Sequence, residues 1–137
     1  MNIGHIENGI VLDHITAGNG MNIYNVLKLG ELDCTVALIK NADSPKMGKK
    51  DIIKISTLLD LDLDILGYLD PGVTVCIIRD GEVAERRTLS LPQRVVGVIQ
   101  CKNPRCITSV EREIVHEFKL TDPVKKVYRC IYCEQKA

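Results

Sequence analysis

The sequence predicts an α+β protein in two parts, a ferredoxin-like α/β sandwich over residues 1–93 and a small β-rich domain over residues 94–137. Three observations predict this. The first part has the pattern strand, helix, strand, strand, helix, strand pair, which is typical of a ferredoxin-like sandwich. The segment Ser90 to Arg94 contains Pro92, which cannot continue a strand ladder, so it is the predicted linker. All four closely spaced cysteines of the chain follow that segment.

The first strand is predicted over residues 9–15, which are largely apolar and rich in β-branched side chains. Asn19 can cap a helix after it, and Gly30 is suited to the C-terminal stop of that helix. Two further strands are predicted over residues 34–39 and 50–56. The turn-forming, lysine-rich segment 41–49 separates them.

The segment 58–69 fits two patterns, since its Leu-Asp alternation suits a strand while its apolar residues also recur at helical spacing. Its length favours a helix, which Pro71-Gly72 ends. Residues 73–78 and 82–89 then read as strands on either side of Asp80-Gly81, a strong signal for a hairpin turn. These elements complete the predicted sandwich.

Composition and charge exclude several classes of protein. No stretch of the 137 residues approaches the roughly 18 apolar residues of a membrane span, and Met1 to Gly9 lacks the pattern of a secretory signal. We therefore expect a cytoplasmic protein with no membrane partner. Through Gln93 there are nine Lys/Arg against thirteen Asp/Glu, and after it nine against five. One Phe, four Tyr and no Trp leave little for stacking bases, so no nucleic-acid partner is expected.

Four cysteines form two short pairs, Cys101-x4-Cys106 and Cys130-x2-Cys133. In a reducing compartment such pairs indicate a metal site more than a disulfide framework. Four thiolates suit one tetrahedral zinc ion per chain, and a closed set of protein ligands is typical of a structural site. The second domain is therefore predicted to be zinc-ribbon-like. The alternative is a group of buried free cysteines, which is the expected role of Cys34 and Cys76.

Lys50 and Lys54 lie four residues apart and so share a face in either a strand or a helix. A phosphate-bearing ligand between them is the functional interpretation, and a solvated basic edge is the alternative. Asp13-His14, at the end of the first strand, is a second candidate feature, and a side-chain hydrogen bond at the strand end is its alternative interpretation. No Ser-His-Asp order, phosphate loop or pair of catalytic carboxylates can be assembled, so nothing indicates an enzyme.

Several stretches together resemble the regulatory chain of aspartate carbamoyltransferase from end to end. They are Gly9 with Val11-Leu12-Asp13-His14-Ile15, the run from Met47 to Ile55, the run from Ser90 to Arg94, and the complete cysteine pattern with Tyr132-Cys133-Glu134. The resemblance implies a non-catalytic subunit that binds the effectors CTP and ATP and modulates a catalytic chain in pyrimidine biosynthesis. It also implies that the zinc domain docks to the catalytic chain. Homodimers of regulatory chains would then bridge catalytic trimers in a heterododecamer.

The resemblance also implies a set of nucleotide-binding residues. By matching position, the lysines would contact the triphosphate or ribose, Asp13 and His14 would lie near the ribose and triphosphate, and the apolar members would line the base and sugar. The implied set is Ile6, Asp13, His14, Lys50, Lys54, Ile78, Val83 and Arg86.

The sequence departs from the family at four positions near the implied nucleotide site. Arg86 stands where the family often has a lysine, and Gly4 replaces an acidic residue. Cys76 and Gly81 stand where the best-known members carry an asparagine and a tyrosine.

Two other functions compete with a regulatory one. A zinc-ribbon nucleic-acid-binding module would account for the basic second half, although the acidic first half and sparse aromatics oppose it. A small enzyme using Asp13, His14 and Lys50 as acid and base would be recognised by turnover of the isolated chain.

Overall fold

The structure, a computed structural model, describes residues 6–137. Residues 1–5 lie outside this range, and they include Gly4 and most of the segment from Met1 to Gly9 that was considered as a secretory signal. The chain folds as two compact units, the first ending at Ser90 and the second running from Leu91 to Ala137. Over the described residues, no helix is long and apolar enough to cross a bilayer.

The first unit is an antiparallel sheet with two helices, and its strands lie in the order β2-β3-β1-β4-β5. Without β5 this is the order of a ferredoxin-like fold, which confirms the predicted fold class. Its elements are β1 Gly9–Thr16, α1 Gly20–Val26, a short 3-10 turn Leu29–Glu31, β2 Val36–Ser44, β3 Gly48–Ile55, α2 Leu63–Leu69, β4 Thr74–Arg79 and β5 Glu82–Thr88.

The hydrophobic core lies against one face of this sheet. Because side chains alternate along a strand, every second residue of β3 and β4 points into the core. β1 does the same up to Leu12, and a bulge then brings Ile15 to the core side. Leu12 pairs with Ile53 on one side and Val75 on the other, and all three are buried. The helices contribute Ile23 and Leu66 to the same cluster. The opposite face of these strands is therefore left for other contacts.

Three elements differ from the sequence prediction. α2 covers only Leu63–Leu69, because Asp62 accepts hydrogen bonds from the backbone of the first helical turn and fixes the helix start. Residues 58–62 precede it without regular structure, so a helix over 58–69 was wrong in its first half. β2 runs on to Ser44 through the predicted turn segment. Gly30 lies in the 3-10 turn, and Lys28 instead adopts the left-handed conformation after α1, with φ of 55°.

The second unit is a three-stranded antiparallel sheet, β6 Arg94–Val96, β7 Glu117–Asp122 and β8 Val127–Cys130, with one helical turn, α3 Ile107–Val110. Val95, Phe118 and Tyr128 are buried on one face of this sheet. The Tyr128 hydroxyl donates a 2.6 Å hydrogen bond to the carbonyl of Pro92, which ties the start of the unit to its last strand. The unit is the small β-rich domain that the sequence predicted.

Candidate functional site

The four cysteines of the second unit meet at one point. The sulfurs of Cys101 and Cys133 lie 3.5 Å apart, and those of Cys106 and Cys130 lie 3.7 Å apart. All four sulfurs lie within 4.8 Å of one another, and none is in a disulfide. The two pairs are 24 residues apart in sequence, so only the folded sheet brings them together.

These distances fit a tetrahedral metal ion. Four sulfurs about 2.3 Å from a common centre would be separated by about 3.8 Å, close to the 3.5 and 3.7 Å found for two of the sulfur pairs. A disulfide would need about 2.05 Å and is excluded by the same distances. The donors are four thiols with no carboxylate or imidazole among them, a set that suits a soft or borderline metal with a closed coordination shell.

Tight turns present the first pair of sulfurs. The carbonyl of Asn103 accepts hydrogen bonds from the Cys106 amide at 3.1 Å and from the Ser109 hydroxyl at 2.7 Å. Its side chain accepts one from the Arg105 amide at 3.0 Å. These hydrogen bonds close the turn between Cys101 and Cys106.

A second turn presents the other pair. The Glu134 amide donates to the carbonyl of Cys130 at 2.9 Å, and Glu134 has a left-handed backbone with φ of 66°. The Arg129 guanidinium donates to the carbonyl of Glu134 at 2.9 Å and holds this turn against β8. Each pair of thiols is thus fixed by backbone hydrogen bonds that do not involve the sulfurs.

Two thiols of the cluster have pKa values shifted in opposite directions. A hydrogen bond from the buried Thr108 hydroxyl, 3.0 Å from the Cys106 sulfur, lowers the pKa of Cys106 to about 7. Burial raises the pKa of Cys101 to about 12. The Cys101 amide donates to the Nδ1 atom of His116 at 2.9 Å, so His116 supports the first turn instead of joining the ligand set.

The candidate nucleotide residues lie in the first unit, on the sheet face opposite the core. Strand register places Lys54 beside Val11, Val11 beside Cys76 and Cys76 beside Arg86, in one row across four strands. Because Lys50 lies four residues before Lys54 on β3, both lysines are on this face. The structure therefore brings to one surface the two lysines and the arginine that the resemblance named.

Asp13 and Lys50 form an ion pair on this face, with 2.9 Å between the carboxylate and the ammonium nitrogen. Burial alone raises the pKa of Asp13, but the hydrogen bonds from Lys50 and from the His14 amide outweigh it and leave the pKa below 3.8. His14 has a left-handed backbone with φ of 59°, and its Nδ1 atom lies 3.1 Å from the Thr74 hydroxyl. Spacing alone did not indicate that Lys50 had a neighbouring carboxylate.

Apolar residues adjoin the charged ones. Ile6, Cys76 and Ile78 form a small buried cluster against Val11. Val83 pairs with Ile78 across the β4–β5 hairpin and is 52% exposed, so its side chain extends this cluster towards solvent. The whole candidate set thus occupies one face, with its charged members around a small apolar patch.

A cavity of about 370 Å³ in the first unit lies on the core side of the sheet, and none of the predicted nucleotide residues lines it. It is bounded by the segment before α2 and by the inner side of β4 and β5.

Asp51 is an important residue that the sequence analysis missed. It is fully buried, and its carboxylate accepts backbone hydrogen bonds from Gly18, Gly20 and Asn41 at 3.0 to 3.1 Å. A Cβ on Gly20 would lie 2.8 Å from this carboxylate, so the close approach requires glycine. The one available signal was an acidic residue in the buried register of an apolar strand.

Two family models match nearly the whole chain. The model described as "Aspartate carbamoyltransferase regulatory chain, allosteric domain" matches residues 1–90, and the one described as "Aspartate carbamoyltransferase regulatory chain, metal binding domain" matches residues 93–137.

Curated relatives carry the same name. The aspartate carbamoyltransferase regulatory chain of Clostridium acetobutylicum is 53% identical over 98% of this chain and 92% of its own length. That of Clostridium tetani is 48% identical over 98% and 94% of the two chains. That of Bifidobacterium longum is 42% identical over 100% and 99%.

The fold, the sulfur cluster and these matches define a regulatory subunit, not a catalytic one, built from an allosteric domain and a metal-binding domain. The chain belongs to the family of aspartate carbamoyltransferase regulatory chains. Both the recognition from sequence motifs and the expectation of a non-catalytic subunit are confirmed.

Proposed function

We propose that the first unit binds the nucleoside triphosphates CTP and ATP on the sheet face opposite its core, and that binding modulates the catalytic chain of aspartate carbamoyltransferase in pyrimidine biosynthesis. One observation carries the proposal: the row from Lys54 through Val11 and Cys76 to Arg86 places cations at both ends of an apolar strip. A nucleotide has the matching composition, with an apolar base and an anionic triphosphate.

The spacing of the lysines gives each of them a different contact with the ligand. Four residues along a strand span about 13 Å, so Lys50 and Lys54 do not bind the same phosphate group. Each contacts a different part of the ligand. Asp13, which holds the Lys50 ammonium, is suited to accept hydrogen bonds from ribose hydroxyls, because a carboxylate repels phosphate. His14, fixed against Thr74, lies beside the same end of the ligand.

The apolar patch suits the base and sugar. Ile6 and Ile78 are buried, and Val83 stands exposed beside them on the last hairpin. Arg86, exposed on β5, adds a planar cation that can stack on a base or contact a phosphate. The asparagine and tyrosine of the best-known family members are absent, and Cys76 and Gly81 at those positions offer fewer polar contacts to the base edge.

We further propose that the four cysteines hold one structural zinc ion per chain. Zinc, when bound, supplies cross-linking and no chemistry, since the ligand set is closed. The two turns then display the surface of the second unit, which docks to the catalytic chain. Reduced thiols require a reducing compartment, so the proposal places the protein in the cytoplasm. The first units pair as homodimers, which join catalytic trimers into a heterododecamer.

The experiment that tests this function is reconstitution with the catalytic chain of the same organism. Activity of the purified complex is measured with and without CTP and ATP, and nucleotide binding is measured on the same complex by isothermal titration. The proposal requires saturable nucleotide binding and a change in the aspartate saturation curve. A complex that forms but neither binds nor responds to either nucleotide would exclude effector sensing.

A further inference from the structure

The outer face of the second unit's sheet carries a row of three cations. Arg94 on β6 pairs directly with Lys119 on β7, and Lys119 pairs directly with Arg129 on β8. Neighbouring strands lie about 4.8 Å apart, so the three side chains leave the sheet within about 10 Å of one another. Like charges directly opposite each other in a sheet are destabilising, and this sheet has two such pairs side by side across its three strands.

Internal partners offset only part of this charge. Arg94 forms an ion pair with Glu117 on β7. Arg129 donates to the backbone carbonyl of Glu134, a neutral acceptor that positions the guanidinium without neutralising it. Over residues 6–137, no carboxylate forms an ion pair with Lys119. Glu134 lines the same surface as the row, so the three cations are accompanied by two acidic residues and keep a positive excess.

The row lies in a concave part of the surface. A hollow of about 350 Å³ is bounded by the three cations together with Thr121, Ile131 and Glu134. Val96 and Ile131 lie on the same outer face and are 54% and 37% exposed. Exposed aliphatic side chains beside arginines are typical of a protein interface, whereas they contribute little to binding a bare polyanion.

We infer that the row Arg94–Lys119–Arg129 is the electrostatic contact by which the second unit docks, and that the catalytic-chain surface opposite it presents a cluster of carboxylates beside apolar residues. This inference rests on the proposed docking function and specifies its chemistry. Arg129 also holds the turn of Cys130 and Cys133 through Glu134, so the metal site fixes one end of the row. Metal binding and the charge pattern of the interface are thereby coupled.

The test uses Lys119→Glu in the full-length, metal-loaded chain, with Lys125→Glu as the control. Both lysines are exposed and both substitutions reverse one charge in the second unit, but Lys125 lies in the β7–β8 turn and outside the row. Metal content is measured first to establish that each variant is intact. Affinity for the purified catalytic chain is then measured at about 50 and 300 mM salt.

The inference predicts that Lys119→Glu weakens association at least about tenfold at the lower salt and less at the higher, with Lys125→Glu within about twofold of wild type. If Lys119→Glu and wild type bound the catalytic chain with equal affinity, the inference would be overturned. The proposal that the second unit docks to the catalytic chain would still stand if chelation of the metal dissociated the complex. A wild-type chain that does not bind the catalytic chain at all would defeat docking itself.

A second binding experiment tests whether the row binds a nucleic acid instead of the catalytic chain. Wild type and Lys119→Glu are titrated with a random-sequence RNA and a DNA duplex under the same salt conditions. Strong, salt-sensitive RNA or DNA binding that Lys119→Glu removes, with unchanged binding to the catalytic chain, would overturn the inference in favour of a nucleic-acid-binding ribbon.

Discussion

The ammonium of Lys50 lies 2.9 Å from the carboxylate of Asp13, and both groups are mostly shielded from water. The pair gives Lys50 a fixed position on the sheet face before any ligand arrives. It also changes what removal of Lys50 does, because the Asp13 carboxylate would then be left without its cation beside a proposed triphosphate site.

We therefore expect Lys50→Ala to weaken nucleoside triphosphate binding more than Lys54→Ala does. Loss of one charge-assisted contact of about 1.5 to 3 kcal/mol corresponds to about ten- to a hundredfold in affinity. Lys50→Ala adds repulsion from Asp13 to that loss. Isothermal titration of the assembled complex is the measurement, and the rate without effector should stay near that of wild type.

Lys49→Ala provides the matched control for both lysine variants. Lys49 neighbours Lys50 in sequence, but its exposed ammonium forms an ion pair with Asp43, the residue that faces Lys49 on β2. We expect nucleotide affinity within about twofold of wild type, since surface ion pairs contribute about 0 to 1 kcal/mol. If all three lysine variants bound CTP and ATP as wild type does, the sheet face would not be the effector site.

Cys130→Ser should release the metal and unfold the second unit while the first unit stays folded. The reason is that a small domain of this size depends on its metal, whose binding free energy in zinc modules is about 10 to 16 kcal/mol. Elemental analysis reports the metal, and hydrogen exchange reports each unit separately. Cys34 is a half-buried cysteine of the first unit, so the Cys34→Ser variant should keep a full equivalent of metal. Full metal content in Cys130→Ser would remove this cysteine from the ligand set.

Asp51→Asn should destabilise the first unit by about 3 kcal/mol or more. An amide has only one acceptor oxygen, and its NH2 group would face backbone N–H donors that now bind the carboxylate. Urea denaturation of the full chain, followed by a probe in the first unit, measures the change. Asp43→Asn, whose side chain is 91% exposed, should change stability by less than about 0.5 kcal/mol.

The contribution of Asp51 should also depend on pH. Burial alone raises its pKa, but the three backbone donors and the charge of Lys40 outweigh burial and leave the pKa below 3.8. A lowered pKa means that the stabilisation is fully present above the unfolded value and is lost as pH falls through the folded value. The difference in unfolding free energy between wild type and Asp51→Asn should therefore shrink below about pH 4. A difference that grew on acidification would contradict this account.

Gly9→Ala should destabilise β1, because the added Cβ would lie 2.1 Å from the backbone carbonyl oxygen of Ile55. Backbone atoms in the middle of a sheet move only by disturbing their own hydrogen bonds. We expect a loss of about 2 kcal/mol or more. Gly72→Ala is the control, since its nearest atom would be 3.6 Å away. Equal melting temperatures of the two variants would show that the strand relaxes around the methyl group.

The sequence predicted the sheet well because its strands are β-branched and separated by strong turn signals. The Asp80-Gly81 turn is an example, with φ of 53° and 80°, as a two-residue hairpin requires. The region before α2 was mispredicted because the Leu-Asp alternation satisfies two periods at once. The side chain of Asp62 decides between them by capping the helix, a local hydrogen bond that periodicity does not express.

The cysteine cluster was predictable because its ligands come in short pairs, whose spacing reflects the turn that presents them. The Asp13–Lys50 pair and the three donors to Asp51 were not predictable in the same way. They join residues 10 to 37 positions apart through strand register and loop closure, which only the folded chain specifies. Family resemblance named Asp13 and Lys50 as neighbours of one ligand but not of each other.

The alternation of side chains along β4, and along β1 as far as its bulge after Leu12, has an evolutionary consequence. Leu12 and Val75 hold the core together, while Val11 and Cys76, one position away on each strand, face the proposed ligand. Selection for a folded subunit and selection for a particular metabolite therefore act on different residues of the same strands. A lineage could exchange one effector for another by changes at positions such as Cys76 or Val83, and every intermediate along that path would still be a folded subunit.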